Sequence, residues 1–247
     1  MIRILRGLYT AASGMLVEAT RMDVASNNLA NVDTAGFQRQ TAHVYSFPER
    51  VVFREHQGGK EAIGRLGTGA VVDGDRSSFA PGAIKNTYNP FDAALVGFGF
   101  FVVETPEGTR YTRDGRFTTN SSGLLTTLDG NLVRGEKGAI YVGDGEMLLN
   151  ETGEVSVNGK IADKLLIVEF DDRQGLLRRG ANLYEALPEA GDPFRYRAVI
   201  APGAIEMANV NVVREMVNLI NIQRSYEANQ KVIQAFDETL GKVVNEI

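Results

Sequence analysis

"VVREMVNLINIQRSYEANQKVIQAFDETLGKVVNEI", Val212 to Ile247, repeats an apolar residue every seven positions at Val212, Leu219, Tyr226, Ile233, Leu240 and Ile247. That spacing lines one face of a helix. Met216 and Val244 sit four positions on, as d residues, while Gln223, Gln230 and Asp237 leave polar breaks in the seam. Val213, Val217 and Ile220 widen the apolar face over the first turns, and no Pro or Gly falls between Val210 and Leu240. The pattern predicts a helix of roughly 35 residues, ~50 Å long. One short stripe alone would read as a helix packed on a globular core. The deciding question is whether a second stripe exists.

It does, at the other end of the chain. Leu8, Met15, Met22 and Leu29 keep the same seven-residue period, with Ala12, Ala19 and Ser26 interleaved. Small residues at d suit close helix packing but bury little area, so this helix is marginal by itself. Glu18, Arg21 and Asp23 form its polar face. Two heptad stripes at opposite ends, with nothing similar between, predict a coiled coil made by the termini. The first helix runs out in "SNNLANVDTAGF", Ser26 to Phe37, where Asn27, Asn28 and Asn31 crowd into a few positions before Gly36. Asparagine competes for backbone hydrogen bonds and disfavours helix interiors. The stretch is therefore a joint, its amides free to satisfy released carbonyls or to bridge to a neighbour, with Gly36 making the turn.

The middle reads as β. In "FFVVETPEGTRYTRDGRFTTNSSGLLTTLDGNLVRG", Gly108, Gly115, Gly123 and Gly130 punctuate short strands at nearly even intervals. Asn158-Gly159 between β-formers is a strong hairpin signal, and "LLIVEF", Leu165 to Phe170, reads as a buried strand. The Gly-rich "HQGGKEAIGRLGTGA", His56 to Ala70, reads as a flexible connector. The expected fold is α+β, with terminal helices pairing as a coiled coil and an all-β body of hairpins and meander between them. Residues 1–40 and 205–247 form a discontinuous helical domain, 41–88 a connector, and 89–204 a β-rich outer domain.

Composition narrows the function. The 247 residues hold no cysteine, which removes disulfides, thiol catalysis and zinc–thiolate sites. A net charge of −5 with scattered Lys and Arg argues against a nucleic-acid surface. The longest apolar run, Ala93 to Val103, is far short of the ~20 residues a membrane helix needs. Arg3 and Arg6 before apolar residues faintly suggest a signal peptide, but Gly7, Thr10, Ser13 and Gly14 interrupt it. The N-terminus is read as retained structure.

Candidate chemistry is thin. Gly59 to Gly64 superficially echoes a phosphate loop without its Lys and Ser/Thr context. His43 and His56 have no partners at metal spacing, and Asp171, Asp172 and Asp114 precede glycines as turn acids do. No catalytic residue, cofactor site or metal site is assigned. The alternative kept open is an enzyme cleaving cell-wall carbohydrate, which needs two carboxylates flanking the scissile bond.

"LYTAASGM" and "MDVASNNLANVDTAGFQRQ" closely resemble the N-terminal motif of bacterial flagellar rod and hook proteins. Asn89 to Val133, "NPFDAALVGFGFFVVETPEGTRYTRDGRFTTNSSGLLTTLDGNLV", resembles the β segment those proteins share, and Ala208 to Ile247 resembles their C-terminal helix. Together these cover about half the chain, in the family's order. Ser26 and Ala35 stand where the family motif often has Ala and Pro, and Ile140 to Tyr196 lies outside the resemblance. The length suits a proximal or distal rod subunit better than the longer hook protein.

The resemblance implies a building block of the flagellar basal-body rod and not an enzyme. It implies exit through the flagellar type III export apparatus without a cleaved signal, with Ile2, Ile4, Leu5 and Leu8 as candidate export residues. It implies helical polymerisation and transmission of torque for motility. The implied partners are itself, other rod and hook subunits, the export apparatus and the bushing around the rod; no cofactor, nucleic acid or membrane insertion is implied. The implied location is the basal body in the cell envelope, periplasmic where the host has an outer membrane. The assembly interface is expected at Leu8, Met15, Met22, Leu29, Asn27, Asn28, Asn31, Gly36, Val212, Met216, Leu219, Tyr226, Ile233 and Leu240.

Overall fold

A helix at each end of the chain and strands between them make an α+β architecture. The computed structural model describes the backbone of residues 2–56 and 59–245 and the side chains of 6–54 and 61–242. The chain forms two compact units. One holds the residues up to Leu29, Gln40–Arg76 and those from Val212 onward; the other holds Ala30–Arg39 and Ser77–Asn211.

In the helical unit, α1 spans Ile2–Ala30 and α2 spans Val212–Asn245, the two stretches whose heptads predict them. Gly7 lies against the Phe236 ring so closely that any side chain there would run into it. One heptad further along α1, a Cβ at Gly14 would come within 3.0 Å of the Asn229 amide, one heptad back along α2. The helices are thus antiparallel neighbours where they meet, and glycine lets the backbones approach.

The seam differs from the expected one in phase. Glu215 and Ile222 are buried, and Asn229 and Phe236 half-buried, each three positions after an a residue. Met216, Gln223, Gln230 and Asp237, read as the d positions, all face outward, so the polar breaks assigned to the seam lie on the exposed face. The apolar Val213, Met216, Val217 and Ile220 near the start of α2 make four-residue spacing look like the inner face. On α1 the buried residues are Ala11, Val17, Ala25 and Asn28, while the Leu8, Met15, Met22 and Leu29 stripe is half-buried.

The expected flexible connector is largely strand. β1 (Gln40–Ser46) pairs with β4 (Ala70–Ser77), and β2 (Arg50–His56) pairs with β3 (Gly59–Leu66). Val52 faces Gly64 and Phe53 faces Ala62, leaving Ile63 as an extra residue. Glycine at a bulge weakens a strand without ending it, which is why composition points to a linker.

The β unit is built on Phe100–Thr105. On one edge it pairs antiparallel with Gly108–Thr112, and on the other with Leu132–Val133 and Ile167–Glu169. Phe117–Thr119, Leu125–Thr127 and Leu132–Val133 then form the expected meander. Gly108–Thr112 does not pair with Phe117–Thr119, its successor in the chain; its second neighbour in the nine-stranded sheet is Leu183–Ala186.

Alternate residues of "FFVV" feed two cores. Phe101 and Val103 join Leu95, Leu125, Ile140 and Ile200 on one side. Phe100 and Val102 join Tyr111, Phe170, Leu176 and Tyr184 on the other. A strand covered on both faces reads as a continuous apolar run, which explains Ala93 to Val103. No described helix is long and apolar enough to cross a membrane. Asn158 and Gly159, both left-handed at φ 52° and 77°, turn the hairpin between Glu154–Val157 and Lys160–Lys164 as expected.

Tyr184 is fully buried, its ring centroid 5.2 Å from that of Phe79, and burial pushes its phenol up to about 12 from an ordinary 10.0. Unfolded chains therefore lose this proton first as alkali is added. The stability this phenol contributes should be fully present below pH 10 and be lost as pH rises from 10 towards 12. Urea unfolding across that range should show the loss in the native protein and a smaller one in Tyr184→Phe; equal slopes would contradict it.

Candidate assembly surfaces

The joint after α1 is held by its own chain. Asn28, buried at the last turn, donates through Nδ2 to the Gln40 carbonyl and accepts at Oδ1 from the Gln40 amide, both at 2.8 Å. A side-chain amide thereby takes the place of a strand neighbour, and Gln40 Nε2 donates onward to Asp75 at 2.5 Å. Asn31 bonds locally, its Oδ1 accepting from the Thr34 hydroxyl at 3.2 Å. Asn27 is exposed. Gly36, at φ 68°, sits directly against the Arg113–Asp114 backbone, where a side chain would be both strained and blocked.

Around Gly36 the β unit builds a polar node absent from the sequence reading. The Gly36 amide donates to the Glu206 carbonyl at 2.8 Å. The Glu206 carboxylate, wholly buried, pairs with Arg113 at 2.8 Å and accepts from the Gly82 amide at 2.9 Å and from Gln38 Nε2 at 3.4 Å. Arg113 also donates to the carbonyls of Gly99 and Gly97, at 2.8 and 2.7 Å. These are the glycines of "GFGF", whose carbonyls hold a guanidinium. Asn209 accepts from the Arg39 amide and donates to Gln38 Oε1 and the Ser78 and Ala80 carbonyls. Asn182 Nδ2 donates to the Ala35 carbonyl at 3.0 Å, and Arg178 lies over the buried Phe37 ring at 4.6 Å. Neither Glu206, Asn209 nor Arg113 carries a periodicity or motif signal; each matters through partners distant in sequence.

The remaining expected interface residues divide by exposure. Val212, Leu219, Tyr226, Ile233 and Leu240 are half-buried along α2, and Met216 is exposed. The side chains of Ile2, Ile4 and Leu5 lie outside the described residues; Leu8 is half-buried. Two large apolar residues one heptad apart on α1, Tyr9 and Leu16, are 69% and 72% exposed, and Val213 on α2 is 71% exposed. A hollow of about 450 Å³ opens in the β unit between Tyr141, Asp144, Asn158 and Ile161. A second, of about 680 Å³, lies in the helical unit between Gly7, Ala11, Val52, Leu66 and Phe236.

The candidates for chemistry are accounted for structurally. Gly59–Leu66 is strand, Asp172 caps a short 3-10 turn by accepting from the Gln174 amide, and His43 packs on Tyr45 at 4.6 Å. Among the described residues no three His, Asp or Glu side chains gather at metal-binding distance.

Three family profiles match the chain: "Flagella basal body rod protein" over residues 8–38, "Flagellar hook protein FlgE/F/G D1 domain" over 94–160, and "Flagellar basal body rod FlgEFG protein C-terminal" over 201–246. Curated relatives align almost end to end. The flagellar hook-basal body complex protein FlhO of Bacillus subtilis is 30% identical, covering 99% of both chains. A flagellar basal-body rod protein FlgG of Buchnera aphidicola is 32% identical over 96% of this chain and 97% of its own. The chain belongs to the flagellar basal-body rod protein family.

That membership makes it a structural protein of the flagellar basal body and not an enzyme. It removes the wall-cleaving alternative. The flagellar basal-body rod protein FlgF of Caulobacter vibrioides is 31% identical over 96% of this chain and 98% of its own. The joint of residues 26–40 falls largely within the first matched segment, and Glu206 and Asn209 fall within the last. The two ends of the family pattern therefore meet at the polar node.

Replacing Glu206 by Gln would leave Arg113 buried beside a neutral group. Removing one partner of a buried pair costs about 3–5 kcal/mol. Urea unfolding of Glu206→Gln should show a loss in that range; a loss under about 1 kcal/mol, as for an exposed pair, would contradict a central role.

Proposed function

We propose that the chain is a rod subunit that leaves the cytoplasm by the flagellar type III pathway, polymerises helically through its terminal helices and transmits torque along the rod. The observation that carries this is the state of the two helices. They meet through Gly7 and Gly14, bury mainly small residues on α1, and leave Tyr9, Leu16, Val213, Met216, Val217 and Ile220 exposed. Thin packing within one chain and apolar faces outside it suit helices that gain most of their burial from neighbouring subunits.

In this reading the helices Ile2–Ala30 and Val212–Asn245 form the rod core as a coiled coil, and the β body contacts neighbouring rod and hook subunits and the surrounding bushing. The asparagine joint, Asn27, Asn28, Asn31 and Gly36, fixes where the chain leaves the core. Ile2, Ile4, Leu5 and Leu8 serve export. Where the host has an outer membrane, the assembled rod is periplasmic. A head-to-tail contact that does not close generates the open helical polymer.

In a strain lacking the native gene, Leu219→Asp or Ile233→Asp should abolish rod assembly and motility, because a carboxylate in a helix seam is costly to bury. The β body should stay folded, as read by near-ultraviolet circular dichroism of the purified variant. Normal swimming with either variant would sink the assembly model.

A further inference from the structure

The ribbon made by β1 to β4 is tied to α1 at Asn28 and again at Ser13. At the first tie Gln40 bonds with Asn28 and reaches across the ribbon to Asp75. At the second, a Cβ on Gly69 would sit 2.6 Å from Ser13 Oγ, which accepts from the Ala70 amide at 3.4 Å. The Phe47 amide donates to the Gly69 carbonyl at 2.9 Å, so both sides of the ribbon are held at this level. Asn28 back to Ser13 spans ~22 Å of helix and Gln40 to Phe47 spans ~23 Å of strand, so ribbon and helix run in step between the ties. Beyond Ser13 the hollow of about 680 Å³ lies between Val52 and Leu66 of the ribbon, Gly7 and Ala11 of α1, and Val232 and Phe236 of α2. The ladder breaks at the same level. β1 ends at Ser46 and β2 begins at Arg50, while β3 ends at Leu66 and β4 begins at Ala70. The Thr68 hydroxyl donates to the Pro48 carbonyl across the break, at 3.4 Å. A Cβ on Gly67 would meet open space, and its backbone is not left-handed, so neither crowding nor geometry calls for glycine there. What glycine supplies at that point is conformational freedom. Past it, Val52 and Leu66 line the hollow, while Val51, Phe53 and Ile63 are about half exposed.

We propose that the β2–β3 hairpin is a strap hinged at Gly67, open in the free subunit and closed once the subunit is built into the rod. Closing lays Val52 and Leu66 on Gly7, Ala11 and Phe236 and removes the hollow's apolar lining from water. It also takes up the freedom of the hinge, and in a lone chain Val51, Phe53 and Ile63 stay in water, so closure there gains little. A neighbour packed along the hairpin covers those three residues and tips the balance, since it binds the closed state better than the open one. This rests on the rod reading above and adds a conformational step to it.

The chain has no cysteine, so introduced pairs report without background. Val52→Cys with Ala11→Cys, and Leu66→Cys with Val232→Cys, are made in the full-length protein and expressed in cells lacking the native gene. Each pair is oxidised in the purified subunit and in isolated basal bodies, and disulfides are read by mass spectrometry. At least one pair should form a disulfide within one chain, roughly fivefold more completely in basal bodies than in the free subunit. Equal yields, or no such disulfide in basal bodies, overturn the strap and leave the rod reading standing. Absence of even the unaltered chain from basal bodies overturns both. Gly67→Val supplies the independent check, free of cysteines. The open space around Gly67 should keep the Tm of the purified protein within about 2 °C, while the stiffer β-branched residue should at least halve swimming-halo diameter. A larger fall in Tm would make Gly67 a folding residue, and undiminished swimming would make the hinge dispensable; either result overturns the proposal.

Discussion

The buried carboxylate of Glu206 is the constraint on which the β unit depends. A charge cannot be left in the interior unpaired, so everything that reaches it is drawn to one place. It brings together Arg113 from just past the Gly108–Thr112 strand, the Gly82 amide and Gln38 from the joint. The Glu206 backbone carbonyl takes the Gly36 amide as well. Arg113 in turn ties down the Gly97 and Gly99 carbonyls, just before the central Phe100–Thr105 strand. One ion pair thereby positions the entry from α1, the central strand and the segment leading to α2. Burial alone would not make such a pair stabilising, but here the donors and acceptors around it are engaged. The cost of disturbing it is what makes the geometry specific.

The helical unit follows a different logic. Its close contacts use Gly7 and Gly14, and its buried α1 residues are mostly small. Little apolar area is removed from water for the length of helix involved, so the unit is lightly stabilised per residue. A rod subunit divides these properties usefully between its parts. The β body holds two apolar cores and a polar node, while the helices leave Tyr9, Leu16 and Val213 exposed.

The strands and turns of the β body are legible in sequence because their signals are local. Glycines at regular spacing, Asn158-Gly159, and the apolar run through Phe100 to Val103 each act over a few residues. The existence of both helices is legible for the same reason. The connector misleads because Gly59 and Gly64 sit inside strands, one at a bulge. The inner seam of α2 misleads because Met216 continues an apolar face that points outward, while the true inner positions include Glu215 and Asn229. A binary apolar pattern is blind to a buried glutamate.

The candidate site divides along the same line. Asn28 and Gly36 stand out in sequence because residue types unsuited to a helix cluster at its end. Which partner each has is open at that level, and Gln40 and the Arg113–Asp114 backbone supply the answer. Glu206, Arg113 and Asn209 carry no such signal. By itself the sequence determined the family, the two terminal helices, the β middle and the place where the first helix ends. Only the tertiary structure decided the phase of the helix seam and the buried ion pair. Periodicity and turn propensity are properties of neighbours along the chain, whereas burial of a charge and direction of a side chain are set by residues brought together from afar.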